Sequence, residues 1–241
     1  MQCVASVRDW SDTQGYDYLW LDDELFAVVP ANIREKTVQQ PVVATDLARL
    51  LHLQRALKKG YDSVVWCDAD TLVIDPQQLL LSASPFAVGR EVWVQMETES
   101  PPARPRAFVK VHNAFMQFDR SNVFLDFYCD AALRMLERHP APFVSQLIGP
   151  KLLTALHNIV ALPVMETAAV LSPAVALDML NAGGPCLDLF CHKSRQIPAA
   201  LNLCASSVTR GELTDFQMHE VCETVHRQHG SIFGRCAVDP A

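Results

Sequence analysis

The chain has 241 residues, half of them apolar and a fifth charged, with a net charge of -7. That length accommodates one sizeable α/β domain, and the acidic balance argues against nucleic acid as the main partner, because phosphate binding needs a basic patch. Eight scattered cysteines without a C-x-x-C pair fit the reduced thiols of a cytoplasmic protein better than a disulfide framework. The start carries no basic-then-apolar signal pattern. The longest apolar region, 158–180, is broken by Pro163, Glu166 and Pro173, so no transmembrane segment is expected.

In chain order, Val4, Val7 and Trp10 recur at helical spacing, and Gly15 closes a helix over 2–14. Tyr16 to Leu21, Y-D-Y-L-W-L, reads as a short aromatic strand. Residues 23–36 read as helical pieces broken at Pro30. Over 44–60, Ala44-Thr45-Asp46 offers an N-cap, Leu47, Leu50, Leu51, Leu53, Ala56 and Leu57 form an apolar stripe, and Lys58-Lys59-Gly60 closes the helix. Ser63 to Cys67 is a buried-type strand. Strands follow at 85–95 and 107–118, around a polar, Pro-rich loop at 96–106 that can cover a site. Helices follow at 122–138, 143–157 and 174–181. Residues 183–199 read mostly as loop, and 212–229 as a helix; the whole stretch 183–241 is weakly patterned. Alternating helices and strands predict an α/β layer fold with a largely parallel sheet, in which ligands bind beyond the carboxyl ends of strands.

One such end carries chemistry. Residues 65–76 read V-W-C-D-A-D-T-L-V-I-D-P, with two carboxylates one residue apart after an apolar run. Like charges so placed repel unless something positive sits between them. Hard divalent cations, Mn²⁺ or Mg²⁺, bind carboxylate oxygen and bridge to substrate phosphates. Asp68 and Asp70 are therefore the candidate metal ligands.

The stretch from Thr45 to Pro76 places Asp46, Arg49, Gly60, Asp68 and Asp70 in sequence. This arrangement resembles the core of GT-A-fold glycosyltransferases with a D-x-D sugar-binding region, the glycogenin-like and mannosyl- and galactosyltransferase-like families. H-N-A-F-M-Q-F at 112–118 and Q-L-I-G-P-K-L-L-T at 146–154 are also similar, so the resemblance spans about 16 to 160. It implies a Rossmann-like fold with a mostly parallel central sheet flanked by helices. It also implies a UDP- or GDP-sugar donor and a hydroxyl acceptor, a glycan or small molecule, with transfer by retention. Asp46 and Arg49 would then hold sugar hydroxyls or the ribose, and Asn113 would face the sugar or acceptor. Asp70 would be the direct metal ligand and Asp68 would share the metal. Gln146 and Gly149 would approach the donor. Many enzymes of this fold add a late histidine; His192 in F-C-H-K-S-R is the candidate third ligand, with Lys193 beside it for the diphosphate. In the similar families a first apolar strand precedes the first helix, whereas this chain opens on that helix. The single domain is therefore expected to lack its first strand.

For several of these residues a plainer role competes. Asp46 can be a helix cap, the Asp46–Arg49 pair a surface ion pair, Gly149 a helix break, and His226 and His229 a solvated helix face. Two other functions stand beside the transferase. One is a non-catalytic sugar-nucleotide or partner-binding domain of the same fold. The other is a haloacid-dehalogenase-like phosphatase, which also ends a strand in D-x-D. There the threonine Thr71 falls one position out of register, and no later paired-aspartate motif follows.

Overall fold

The computed structural model describes residues 2–98, 102–228, 231–234 and 236. Helix α1 (Gln2–Gln14) buries Val7 and Trp10 and ends at Gly15, whose φ of +71° suits a residue without a side chain. Residues 16–21 then run without regular structure to a 3₁₀ turn (Asp23–Val28) and helix α2 (Ala31–Thr37), separated by Pro30. Helix α3 (Pro41–Lys59) begins at Pro41, earlier than the Ala44-Thr45-Asp46 cap suggested, because proline fixes a helical φ at the first position. Asp46 therefore lies inside the helix and caps nothing. Gly60 ends α3 in the left-handed region, its N–H donating to the Ala56 and Leu57 carbonyls.

Strands β1 (Ser63–Cys67) and β2 (Thr71–Val73) flank the D-A-D turn, and β3 (Phe86–Glu97) and β4 (Arg104–Asp119) form one long hairpin. The segment 96–106 is thus partly strand, with Glu97 accepting from Arg106 at 2.9 Å; residues 99–101 lie outside the described residues. Helix α4 (Phe124–Arg138), a π turn (Leu147–Lys151) and α5 (Leu152–Val160) follow, where a helix over 143–157 is expected. Gly149 and Pro150 interrupt its first turns. Next come β5 (Val164–Met165), β6 (Ala168–Val170), α6 (Pro173–Leu180), α7 (Pro185–Lys193), β7 (Ala200–Asn202), α8 (Ser206–Thr209) and α9 (Asp215–Arg227).

The architecture is α/β, but its sheets are mixed. One has the order β1-β4-β3-β5 and the other β2-β7-β6. β1 and β3 both pair antiparallel with β4, and β2 with β7; β3 with β5 and β6 with β7 are parallel. The expected mostly parallel sheet fails because the strands at 86–119 follow each other with no helix between. A direct hairpin makes its two strands antiparallel.

Two other expectations are corrected. Tyr16 to Leu21 forms no strand; Asp17 to Leu21 make no backbone–backbone hydrogen bond among the described residues. Residues 185–193 are helix and not loop. The Asp178 carboxylate of α6 accepts from the N–H groups of Cys186 at 2.6 Å and Leu187 at 3.0 Å, so α7 is capped from another helix, a signal that no local pattern carries.

One core packs α3 and α4 on the first sheet around Leu47, Leu50, Met116, Phe118 and Tyr128. A second gathers α6, α7 and α9 around Leu72, Phe190, Leu201 and Val221. A smaller one lies under α1, around Trp10 and Phe115. No single helix among the described residues is long and apolar enough to cross a membrane, and the cysteines are free thiols.

Candidate functional site

The D-A-D turn joins the two sheets. Asp68 follows the last residue of β1 and donates its N–H to the Ala114 carbonyl at 2.9 Å, whereas the Asp70 carbonyl accepts from Leu203 beyond β7 at 2.9 Å. Where the sheets part, a cavity of about 1720 Å³ opens. Its floor carries Asp46, Arg49, Asp68, Asp70, His112, Asn113 and Gln146. Its wall carries Val7, Trp10, residues 16–21, Leu53, Tyr61 and Val64 to Trp66.

Helix geometry brings Asp46 and Arg49 to one face, three residues apart. Both are buried, at 3% and 5% exposure, so the surface ion pair is excluded. Arg49 Nη2 lies 3.3 Å from Asp46 Oδ1. Its Nη1 donates to the Asn113 carbonyl at 2.8 Å and lies 3.1 Å from Asp68 Oδ1. Asn113 Nδ2 donates to Asp46 Oδ1 at 2.9 Å, and Trp66 Nε1 donates to Asp68 Oδ1 at 2.6 Å. Arg49 also sits over the Trp66 ring, 5.6 Å from its centroid. The guanidinium therefore works mainly on protein partners, holding Asp46, Asp68 and Asn113 in place.

The register of the β3–β4 hairpin delivers Asn113. Val88 pairs with Met116, but Gly89 pairs with His112, so residues 113–115 of β4 have no partner on β3. This bulge frees the Asn113 carbonyl and side-chain amide for Arg49 and Asp46. His112 locks the bulge. Its Nδ1 accepts from the Ala114 N–H at 3.1 Å, so the ring proton stays on Nε2, which donates to the Ala168 carbonyl at 3.1 Å. The Nε2 edge of the ring abuts Gly89, where an added Cβ would meet Nε2 at 2.1 Å. Burial pushes the His112 pKa down to about 4, against the opposing pull of the Ala168 carbonyl.

Gly149 has a similar part. A Cβ there would lie 2.8 Å from Asn113 Nδ2 and 2.9 Å from Asp46 Oδ2. The close approach it permits is to these two side chains. Gln146, in the left-handed region at φ +62°, reaches the cavity lining.

Burial raises Asp68 to about 6, with Asp70 and Asp46 adding to the rise and Arg49 and Trp66 opposing it. Asp46 is raised as well, first by burial. Asp70 Oδ1 accepts from Asn202 Nδ2 at 2.5 Å and its Oδ2 from the Ala205 N–H at 2.8 Å. Asp46 and Asp68 thus share one guanidinium, and Asp70, two residues on, is held by the neutral Asn202 amide and Ala205 N–H. That surplus of hard anionic oxygen fits a divalent cation, with Asp68 and Asp70 as the residues that would hold it.

His192 and Lys193 stand exposed in the last turn of α7, outside the cavity lining. Among the described residues no three His, Cys, Asp or Glu side chains form a preassembled metal cage. His226 lies on α9, and His229 is outside the described residues. Sequence reasoning missed Asn202 and Ala205, which hold Asp70. It also missed Arg210 at the rim, bonded to Glu212 at 2.6 Å. None of these has a local signal, because each meets its partner through the fold. Comparison of the chain with protein-family models, with curated proteins and with solved structures finds no match.

Proposed function

We propose that this chain is a metal-dependent glycosyltransferase that moves a sugar from a UDP- or GDP-sugar to a hydroxyl acceptor, with retention of configuration. The observation that carries the reading is the network of buried Asp46, Arg49 and Asn113 with half-buried Asp68 on the floor of a large cavity, with Asp70 across the D-A-D turn. In this reading Asp68 and Asp70 hold Mn²⁺ or Mg²⁺. When bound, the cation neutralises the donor diphosphate and makes the nucleoside diphosphate a better leaving group. Asp46 and Asn113 meet sugar hydroxyls. Arg49 is a positioning residue that keeps both oriented. Retention needs no dedicated enzymic base, since the leaving phosphate accepts the acceptor's proton. Free thiols fit a reducing compartment, the cytoplasm in this reading.

A thermal-shift screen of UDP-, GDP- and ADP-sugars tests the reading. UDP or GDP compounds raise the melting temperature with Mn²⁺ or Mg²⁺ and not in excess EDTA. Equal stabilisation in EDTA, or none with any nucleotide, overturns it. Metal-dependent binding without turnover assigns a binding domain instead, and release of phosphate from an aryl phosphate assigns a hydrolase.

A further inference from the structure

Strand β1 lies at the edge of its sheet, with β4 as its one neighbour. At its two ends the Asp62 carbonyl accepts from the Arg120 N–H at 2.8 Å, and the Asp68 N–H donates to the Ala114 carbonyl at 2.9 Å. Residues that exchange such bonds alternate along an antiparallel pair. The register of Val64 with Phe118 and Trp66 with Met116 therefore turns the even-numbered residues toward β4. The N–H and C=O groups of Ser63, Val65 and Cys67 point the other way, into the cavity, and have no backbone partner among the described residues. The segment 16–21 lines the same cavity, with a strand-type sequence whose backbone groups from Asp17 to Leu21 are also unpaired among the described residues.

Side chains define what fits there. Val64 and Trp66 belong to the layer packed on α3, whereas Val65 and Cys67 belong to the layer under α1. Anything beside β1 lies between those two apolar layers. A row of alternating donors and acceptors along the full strand is the template for another backbone. A strand covered on both faces reads as a continuous apolar run. A second copy's β1 is walled by the same two layers, and two walled edges cannot approach to the strand spacing of about 4.8 Å.

We propose that the open edge of β1 is a strand-docking site, which takes an extended polypeptide segment of about five consecutive apolar residues as an added β-strand. The inference does not depend on the transferase reading.

The probe is the peptide acetyl-Lys-Val-Ile-Val-Ile-Val-Lys-amide, added to the full chain. Two readouts follow binding: tryptophan fluorescence, since Trp20 and Trp66 line the cavity, and amide hydrogen exchange. The expected result is a saturable fluorescence change with slowed exchange at Val65 and Cys67, whereas Val64 and Trp66, already bonded to β4, change little. Val65→Pro removes an outward N–H and leaves the β4 ladder intact, so it weakens binding about tenfold. The same peptide methylated on every amide nitrogen keeps its apolar side chains but has no N–H to donate; it is expected not to bind. Binding that survives methylation is apolar partition and overturns the proposal. Absence of binding by the parent peptide also overturns it, as does self-association of the chain that the peptide fails to compete. The methylated peptide keeps the test decisive if Val65→Pro does not fold.

Discussion

The floor and the wall of the cavity face each other but are built on opposite terms. On the floor, most polar groups are answered by groups from distant elements: Arg49 reaches Asp68 and the Asn113 carbonyl, and Asp70 reaches Asn202 and Ala205. On the wall, Tyr16, Leu19, Trp20 and Tyr61 leave large apolar surface exposed, and two strips of backbone lack partners among the described residues. A group fixed by several partners holds its geometry before any ligand arrives. A surface whose partners are missing gains from whatever covers it. The floor is thus fixed in advance, and the wall is left open.

The largest expected effect that sharpens this contrast is on the floor. Asp70→Asn keeps the size and one acceptor oxygen but removes the charge, so turnover falls on the order of 10²–10³-fold with the fold retained. Sugar-transfer assays beside a melting curve check it, and wild-type product formation removes Asp70 from the site. Arg49→Lys replaces a fork by a point charge and leaves Asp46, Asp68 and the Asn113 carbonyl short of donors. It is expected to cost about 2 kcal/mol in urea unfolding and to weaken donor binding; unchanged affinity contradicts the positioning role.

Gly149→Ala drives a methyl group against Asp46 and Asn113, both buried. Urea unfolding should register a loss of about 1–2 kcal/mol, together with weaker donor binding. A neutral result means that the floor yields and is less rigid than its bonding suggests.

The floor also has a pH signature. The folded pKa of Asp68, about 6, lies above its ordinary value near 4. Between those values the folded chain keeps a proton that the unfolded chain releases, so this group's contribution to stability falls as pH rises from about 4 to about 6. His112 acts oppositely. Its folded pKa, about 4, lies below the ordinary value near 6.5, so its contribution rises with pH over about 4 to 6.5. Asp68→Asn removes the falling slope and leaves the rising one. Its stability relative to wild type should therefore increase from about pH 4 to pH 6, as read by denaturant unfolding at several pH values. A difference that is flat with pH places Asp68 in an ordinary solvated setting.

The smallest effect belongs to the wall. Trp20 is 46% exposed, and Trp20→Ala should change unfolding free energy by no more than about 0.5 kcal/mol. A larger loss shows that the wall is already packed and that the contrast is overstated.

What could be read from the sequence divides along the same line. Asp68 and Asp70 were legible as an acid pair closing an apolar run, whereas Asp46, Arg49 and Asn113 were singled out through the family resemblance; the structure brings all five to the cavity. Helices α1, α3 and α4 were legible from apolar spacing and from Gly15 and Gly60. Strand direction was not, since a hairpin and a crossover leave the same run of apolar residues and differ only in the connection. Helix α7 was hidden because its cap is Asp178. Tyr16 to Leu21 has a strand's composition, but a strand needs a neighbour, and composition does not supply one.

The bulge opposite Gly89 also fixes where the chain tolerates changes in length. Asn113 takes its position from the three residues by which β4 outruns β3, not from the far end of the hairpin. Removing facing residues in pairs from Gln95–Glu97 and Arg104–Arg106, beyond the buried Val94, shortens the arm and leaves the floor where it is. Removing or adding one residue among Asn113, Ala114 and Phe115 shifts the strand by one step and turns the amide away from Asp46. The arm is thus open to redesign as a grip or a tag. The three-residue step inside it is the address by which the fold finds its own site.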